Sequence, residues 1–221
     1  MVSLLIDAGN TSVKMAISRG DEITDEKRCD ADLLIGEIDS YFHKYQNICV
    51  VAVSDVRGLP ETVYTHLDKI CKKVIRVKGD ISLPINNRYG TPKTLGPDRI
   101  CAAAGAHALF PGKDCVIVDF GTAITFDFLT KEGDFLGGNI SLGLNTRFRA
   151  LNHFTGKLPL LQRVEDVEQI GNCTTGAMES GVILGTIFEI EGYIRTYPGY
   201  NFIFTGGDAI FFAKKLKICG L

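Results

Sequence analysis

Asp7, Gly9, Asn10, Thr11 and Ser12 follow the apolar run Val2–Ile6, and a second apolar run begins at Val13. A carboxylate, a glycine, a carboxamide and two hydroxyls between two strands predict a hairpin tip suited to one chemistry. Backbone N–H groups and hydroxyls at such a tip bind phosphate oxygens. Gly9 has no Cβ to block a ligand's approach. Asp7 would repel a phosphate, but it can hold a divalent cation that bridges to one. Asp-x-Gly-Asn is equally ordinary turn chemistry, so this stretch alone predicts only a hairpin.

The pattern returns in Cys115-Val-Ile-Val-Asp119-Phe-Gly121-Thr122-Ala-Ile-Thr125. Asp7 and Asp119 are 112 residues apart, about half of 221. That spacing predicts a duplicated unit with a phosphate hairpin in each half. The two carboxylates would then face each other across a cleft, which demands cations between them.

Asp98 and Arg99 form a third candidate site. They leave a stretch, 80–97, that carries Pro84, Asn86, Asn87, Tyr89, Gly90, Pro92, Gly96 and Pro97. A structureless loop of that length inside a compact chain is usually functional or disordered. Asp98 reads as an N-terminal helix cap, or as a general base with Arg99 clamping an anion. Both roles can hold together. Thr205-Gly206-Gly207-Asp208 reads either as a tight strand-to-helix turn or as a seat for a nucleoside.

The elements that must position these residues follow from periodicity. After the first hairpin, 21–28 reads as an edge strand. Ala31–Tyr45 reads as a helix with Leu34, Ile38, Phe42 and Tyr45 on one stripe. Ile48–Val53 reads as a strand buried on both faces. Pro60 opens a second helix, Val74–Val77 is a short strand, and Asp98 begins an alanine-rich helix to Phe110. The second half repeats the order with strands at 114–119, 123–129 and 135–140. Gly137-Gly138 marks a bulge or a close backbone approach in the third of these. Helices follow over 143–153 and 174–196, then a strand over 201–204 and a helix over 209–217. Gly176, Gly181, Gly185 and Gly192 weaken the long helix relative to alanine, which predicts close packing against another backbone.

Composition narrows the function classes. Lys+Arg 24 against Asp+Glu 26 gives a net charge of −2, which argues against a broad nucleic-acid footprint. No run approaches the length of a transmembrane helix, and no basic leader precedes an apolar core. Seven cysteines without a C-x-x-C spacing predict reduced thiols in a cytoplasmic protein. No zinc motif, G-x(4)-G-K-[ST] loop, G-x-G-x-x-G turn or G-x-S-x-G elbow occurs. The four histidines fall on predicted helices as surface or packing residues.

Taken in order, Asp7-x-Gly9-Asn10-Thr11, Thr91-Pro92-Lys-Thr-Leu95-Gly96-Pro97-Asp98-Arg99, Asp119-x-Gly121-Thr122-Ala123-x-Thr125, Gly137-Gly138-x-Ile140 and Thr205-Gly206-Gly207-Asp208-Ala209 span nearly the whole chain. The set resembles type III pantothenate kinase, of the acetate and sugar kinase/actin/heat-shock chaperone superfamily. Leu-Gly-x-Asp-Arg is its most specific element. The resemblance implies an α/β fold of two duplicated ribonuclease H-like domains, mixed sheets with flanking helices, around a central cleft. They would span 1–113 and 114–221, the second lacking its last strand and helix. It also implies ATP-dependent phosphorylation of pantothenate at its primary hydroxyl, the first step toward coenzyme A.

The resemblance assigns roles by position. Asp7, Ala8, Gly9, Asn10, Thr11, Ser12, Val13 and Lys14 would cradle the ATP phosphates with Mg2+, and Thr122 would contact ATP. Asp98 would accept the proton. Tyr89, Gly96, Pro97, Asp98 and Arg99 would bind pantothenate, joined by Thr174 from the partner subunit of a homodimer. Asp119 would bind a monovalent cation, K+ or NH4+. No nucleic acid or membrane partner is implied. One departure stands out: Leu142 precedes Gly143 where the family usually has proline. The rival readings are a small-molecule kinase with another acceptor, a non-catalytic regulatory or binding protein on the same fold, and an actin-like filament protein.

Overall fold

The computed structural model describes residues 1–216. The expected end of the last helix at Lys217, Cys219 and the expected loss of a last strand and helix lie outside the described residues. The chain forms two compact units, one of Met1–Ser82 with Gly90–Cys101, the other of Leu83–Tyr89 with the chain from Ala102 onward.

In the first unit, strands β1 (Val2–Ala8), β2 (Val13–Arg19), β3 (Glu22–Cys29), β4 (Ile48–Asp55) and β5 (Val74–Val77) form one sheet in the order β3-β2-β1-β4-β5. The hairpin strands pair antiparallel, while β4 and β5 run parallel to β1. Val2, Leu4, Ile6 and Ala8 on β1 are buried and alternate with half-buried Ser3, Leu5 and Asp7, as a strand with one packed face must. The packed face meets helices α1 (Leu34–Lys44) and α2 (Glu61–Ile70) through Leu34, Ile38, Tyr41, Val63 and Leu67. Each such fully buried aliphatic side chain contributes roughly 1.5–3 kcal/mol. Tyr41 takes the buried place on α1 expected of Phe42 and Tyr45, which are only partly covered. β4 buries Val51 and Val53 on the same packed face, with Ser54 buried on the other. Asp7 therefore lies on the sheet face that α1 and α2 leave uncovered.

The second unit repeats the plan. Strands β6 (Asn86–Asn87), β7 (Cys115–Phe120), β8 (Ala123–Leu129), β9 (Asp134–Leu142) and β10 (Asn201–Gly206) form a sheet in the order β10-β7-β8-β9-β6. Helices α4 (Leu144–Phe154), α5 (Thr174–Thr196) and α6 (Ala209–Lys215) complete it. The core joins Val116, Val118, Phe126 and Phe148 to Ile183, Ile190 and Phe212, and Tyr193 stacks on Phe126 with ring centroids 3.9 Å apart. Helix α3 (Pro97–Leu109) supplies residues to both units.

Two expectations are refined. The 80–97 stretch is not wholly loop, because Asn86 and Asn87 pair parallel with Asp134 and Phe135 as β6. Gly137-Gly138 is both a bulge and a close approach. The β8–β9 register shifts there, and a Cβ on Gly138 would lie 1.9 Å from the Phe126 carbonyl oxygen.

Candidate active site

Asp7 is the last residue but one of β1, and the tip Gly9–Ser12 closes through Gly9 N–H donating to Ser12 O at 3.1 Å. Asn10 and Thr11 are exposed there. Lys14, the second residue of the return strand, lies directly across from Asp7, its Nζ 3.7 Å from Asp7 Oδ2 with both side chains about half exposed. Such a pair is weak, so Lys14 is free to turn to a phosphate.

Asp98 is placed by its flanks. Pro97 is the first residue of α3 and Asp98 the second, so Asp98 lies in the first helical turn rather than before it. Its Oδ1 accepts from the Arg99 N–H at 2.9 Å. A Cβ on Gly96 would lie 2.4 Å from that same oxygen, so glycine is needed where the carboxylate folds back. The loop before it packs onto Gly79, where a Cβ would meet Leu95 O and Pro92 O at 2.4 Å each. Burial pushes the Asp98 carboxyl above its ordinary range, the Arg99 N–H pulls the other way, and the charge of Asp7 pushes it up further. Arg99 itself is buried. Cys101, one turn further along the helix, is pushed up to about 11 by burial and by Asp7 and Asp98, so it is a neutral thiol at physiological pH.

The first unit thus gathers Asp7, Lys14, Asp98, Arg99 and the Gly96-Pro97 turn. The others lie in the second unit. Asp119, the last residue but one of β7, lies between Thr125 on β8 and Thr205 on β10. Thr122 stands at the second tip, and its carbonyl accepts from Gly143 N–H at 3.0 Å and Thr146 Oγ1 at 2.6 Å. A Cβ on Gly143 would lie 2.2 Å from Gly121 O, so the glycine after Leu142 seats α4 on the hairpin without help from a proline. Tyr89 lies over Gly137, where a Cβ would come within 2.9 Å of its ring. Thr174 is the first residue of α5 and lines a groove of about 870 Å3 with Leu142, Arg147, Leu151 and Met178. Asp208 is held by Arg163 at 2.7 Å, which favours the structural reading of the Thr205–Asp208 turn.

Sequence reasoning passed over Ser54, Gly79 and Cys101. Glycine at 79 is a readable signal of close approach, but the atoms it admits come from 13 or more residues away. Among the described residues no group of three or more His, Cys, Asp or Glu could hold a metal ion. A divalent ion here would therefore rely on Asp7, water and ligand phosphates, which is how magnesium commonly binds.

The type III pantothenate kinase family model matches residues 3–196. The chain is also 36% identical over 218 residues to the type III pantothenate kinase of Flavobacterium johnsoniae, covering 97% of this chain and 89% of that one. The chain belongs to the type III pantothenate kinase family. A type III pantothenate kinase of Bacteroides fragilis is 38% identical over 220 residues, 98% of this chain and 90% of its own length. The fold reaches beyond the type III pantothenate kinases. Component A of (R)-2-hydroxyglutaryl-CoA dehydratase from Acidaminococcus fermentans superposes with a TM-score of 0.53 at 17% identity, over 99% of this chain and 90% of that one.

Proposed function

We propose that this chain phosphorylates pantothenate with ATP at its primary alcohol, the first step toward coenzyme A, and that Asp98 takes the hydroxyl proton. The observation that carries the role of Asp98 is its setting. It is a half-buried carboxylate at the start of α3, raised by burial and by Asp7, in the Leu95–Arg99 element of a family named for this reaction. A raised pKa strengthens a carboxylate as a proton acceptor.

In-line phosphoryl transfer is mainly positioning and charge neutralisation. The tip from Asp7 to Lys14 presents N–H groups, hydroxyls and one ammonium to the nucleotide phosphates, and Thr122 contacts the nucleotide from the second hairpin. Bound magnesium supplies charge neutralisation between phosphate oxygens, and Asp7 is the carboxylate that would hold it. Asp119 holds a monovalent cation, potassium or ammonium; the two threonines flanking it suit a hard cation with oxygen donors. Tyr89, Gly96, Pro97 and Arg99 bind pantothenate, Arg99 holding either its carboxylate or the moving phosphoryl group.

Thr174 completes the acceptor site from the partner subunit of a homodimer. Phe188 on α5 is 60% exposed and Phe154 on α4 is 83% exposed. A Cβ on Gly181, Gly185 or Gly192 would meet nothing within 4 Å among the described residues. The close approach expected of these three is therefore left for a second chain, and a monomer in sedimentation equilibrium would remove the dimer. No helix among the described residues is long and apolar enough to cross a membrane, and we place the enzyme in the cytoplasm.

The test is ADP release from ATP, magnesium and pantothenate, in potassium and again in sodium. Release that needs pantothenate and falls in sodium is expected. No release from folded protein in either salt would replace this reading with the non-catalytic one.

A further inference from the structure

The uncovered face of the first sheet carries a groove of about 510 Å3, and strand register sets its floor. Asp7 lies across from Lys14 on β2 and from Ser54 on β4, Lys14 across from Arg28 on β3, and Ser54 across from Val77 on β5. Cross-strand partners share a face, so one row runs Arg28, Lys14, Asp7, Ser54, Val77. Two residues back along the strands, Ala16, Leu5 and Ala52 make an apolar strip beneath it. Cys101 closes the groove beside the row.

Asp7 divides this groove chemically. The side with Lys14 and Arg28 is basic and belongs with the phosphate tip. The side with Ser54, Ala52 and Val77 is carbon except for one hydroxyl. Ser54 is 9% exposed, and its Oγ is buried without a hydrogen-bond partner. The next residue is its opposite. Asp55 accepts from the N–H groups of Arg57, Gly58 and Leu59 and from the Tyr64 hydroxyl, at 2.7–3.1 Å. The loop after β4 is thus fully bonded and Ser54 takes no part in it. A buried hydroxyl without a partner costs the folded state free energy that alanine would not, so the fold gives no reason for serine here.

We infer that the Ser54 hydroxyl is a specificity-determining group for the phosphoryl acceptor. It donates a hydrogen bond to an oxygen of pantothenate, whose branched carbon skeleton rests on Ala52 and Val77 while its primary alcohol faces Asp98. The inference rests on the pantothenate kinase reading above. Its geometric ground is that Ser54 lies on the side of Asp7 away from the phosphate-binding cations, and that Cys101, which lines the same groove within the field of Asp7, lies one turn from Asp98. Serine has three staggered χ1 wells, so Oγ can turn to a ligand without backbone movement.

The experiment is steady-state kinetics of wild type, Ser54→Ala and Ser54→Thr with each substrate varied, beside thermal melts. In Ser54→Ala the pantothenate KM rises about fivefold to tenfold, the weight of one neutral hydrogen bond. The ATP KM holds, and Tm does not fall. Ser54→Thr, which keeps the hydroxyl, stays near wild type. A structural serine would instead lower Tm and leave the KM values together. An unchanged pantothenate KM in active Ser54→Ala overturns the inference, as does a rise confined to ATP. Wild type that turns over ATP without needing pantothenate overturns the functional reading and this inference with it, so the two failures are distinct.

Discussion

The carboxylates one residue before the ends of β1 and β7 occupy the same place in their sheets and keep different company. Asp7 has an ammonium across one strand and a serine across the other. Asp119 has a threonine on each side. The first tip, Gly9–Ser12, is four residues long, with Asn10 and Thr11 open to solvent. The second is Gly121-Thr122, pinned to the start of α4 through the Thr122 carbonyl. Duplication supplied two copies of one strand-carboxylate-turn device, and neighbouring side chains set each copy's task. An ammonium and an exposed polar tip suit a polyanion, and a carboxylate between hydroxyls suits a small cation. Asp98 adds a second carboxylate within the field of the first copy.

The largest expected effect tests that addition. Asp98→Asn should cut kcat by about 100-fold or more, with ATP binding retained in a titration; near-normal turnover would remove Asp98 from the role. Stability should move the other way. Folding raises this pKa, so the folded chain holds the proton more tightly than the unfolded one. The charged carboxylate therefore costs stability above its folded pKa, and the cost disappears as pH falls below the unfolded value. At neutral pH the asparagine variant should melt at or above the wild-type temperature. In wild type, kcat should fall as pH drops through a midpoint above the ordinary carboxylate value of 3.8, and a midpoint at or below it would contradict the burial argument.

Asp119→Asn should give a smaller loss, on the order of tenfold in kcat, the scale of one lost charge contact near the nucleotide. Its sharper signature is that potassium and sodium become equivalent. Retained potassium dependence would mean that the second copy does not hold the cation.

Most of the frame was legible because its signals are local. Apolar runs on either side of a carboxylate and turn marked β1, β2, β7 and β8, the 112-residue offset marked the duplication, and α5 falls on Thr174–Thr196 as its pattern indicates. What stayed hidden depends on distant atoms. β6 is two asparagines, poor strand formers, paired with residues 48 positions away. Tyr41 replaces Phe42 in the buried stripe because its hydroxyl reaches the Asp25 carbonyl at 2.5 Å, in a bend where Asp25 has φ 53°. The fold-back of Asp98 onto the Arg99 N–H and the unpaired hydroxyl of Ser54 are readable only once the chain is folded.

Asp98 and Asp119 each have a glycine against one carboxylate oxygen where a methyl group would collide with it, and the smallest expected effects separate the two. A Cβ on Gly96 would lie 2.4 Å from Asp98 Oδ1, with no other atom nearer than 3.6 Å. A Cβ on Gly206 would lie 2.3 Å from Asp119 Oδ1 and also 2.7 Å from the Phe120 backbone, at a φ of +92°. Gly96→Ala can be relieved by swinging one short side chain, so the fold should hold while the proton acceptor is misplaced: kcat falls severalfold and Tm stays within a degree or so, as for misaligned catalytic groups. Gly206→Ala strikes backbone in a conformation that L-residues avoid, so it should cost about 1–3 kcal/mol, several degrees in Tm for a chain this size. Melts and turnover of the two variants decide the matter. A large Tm loss in Gly96→Ala, or none in Gly206→Ala, would mean that Asp98 and Asp119 are held by contacts other than those with Gly96 and Gly206.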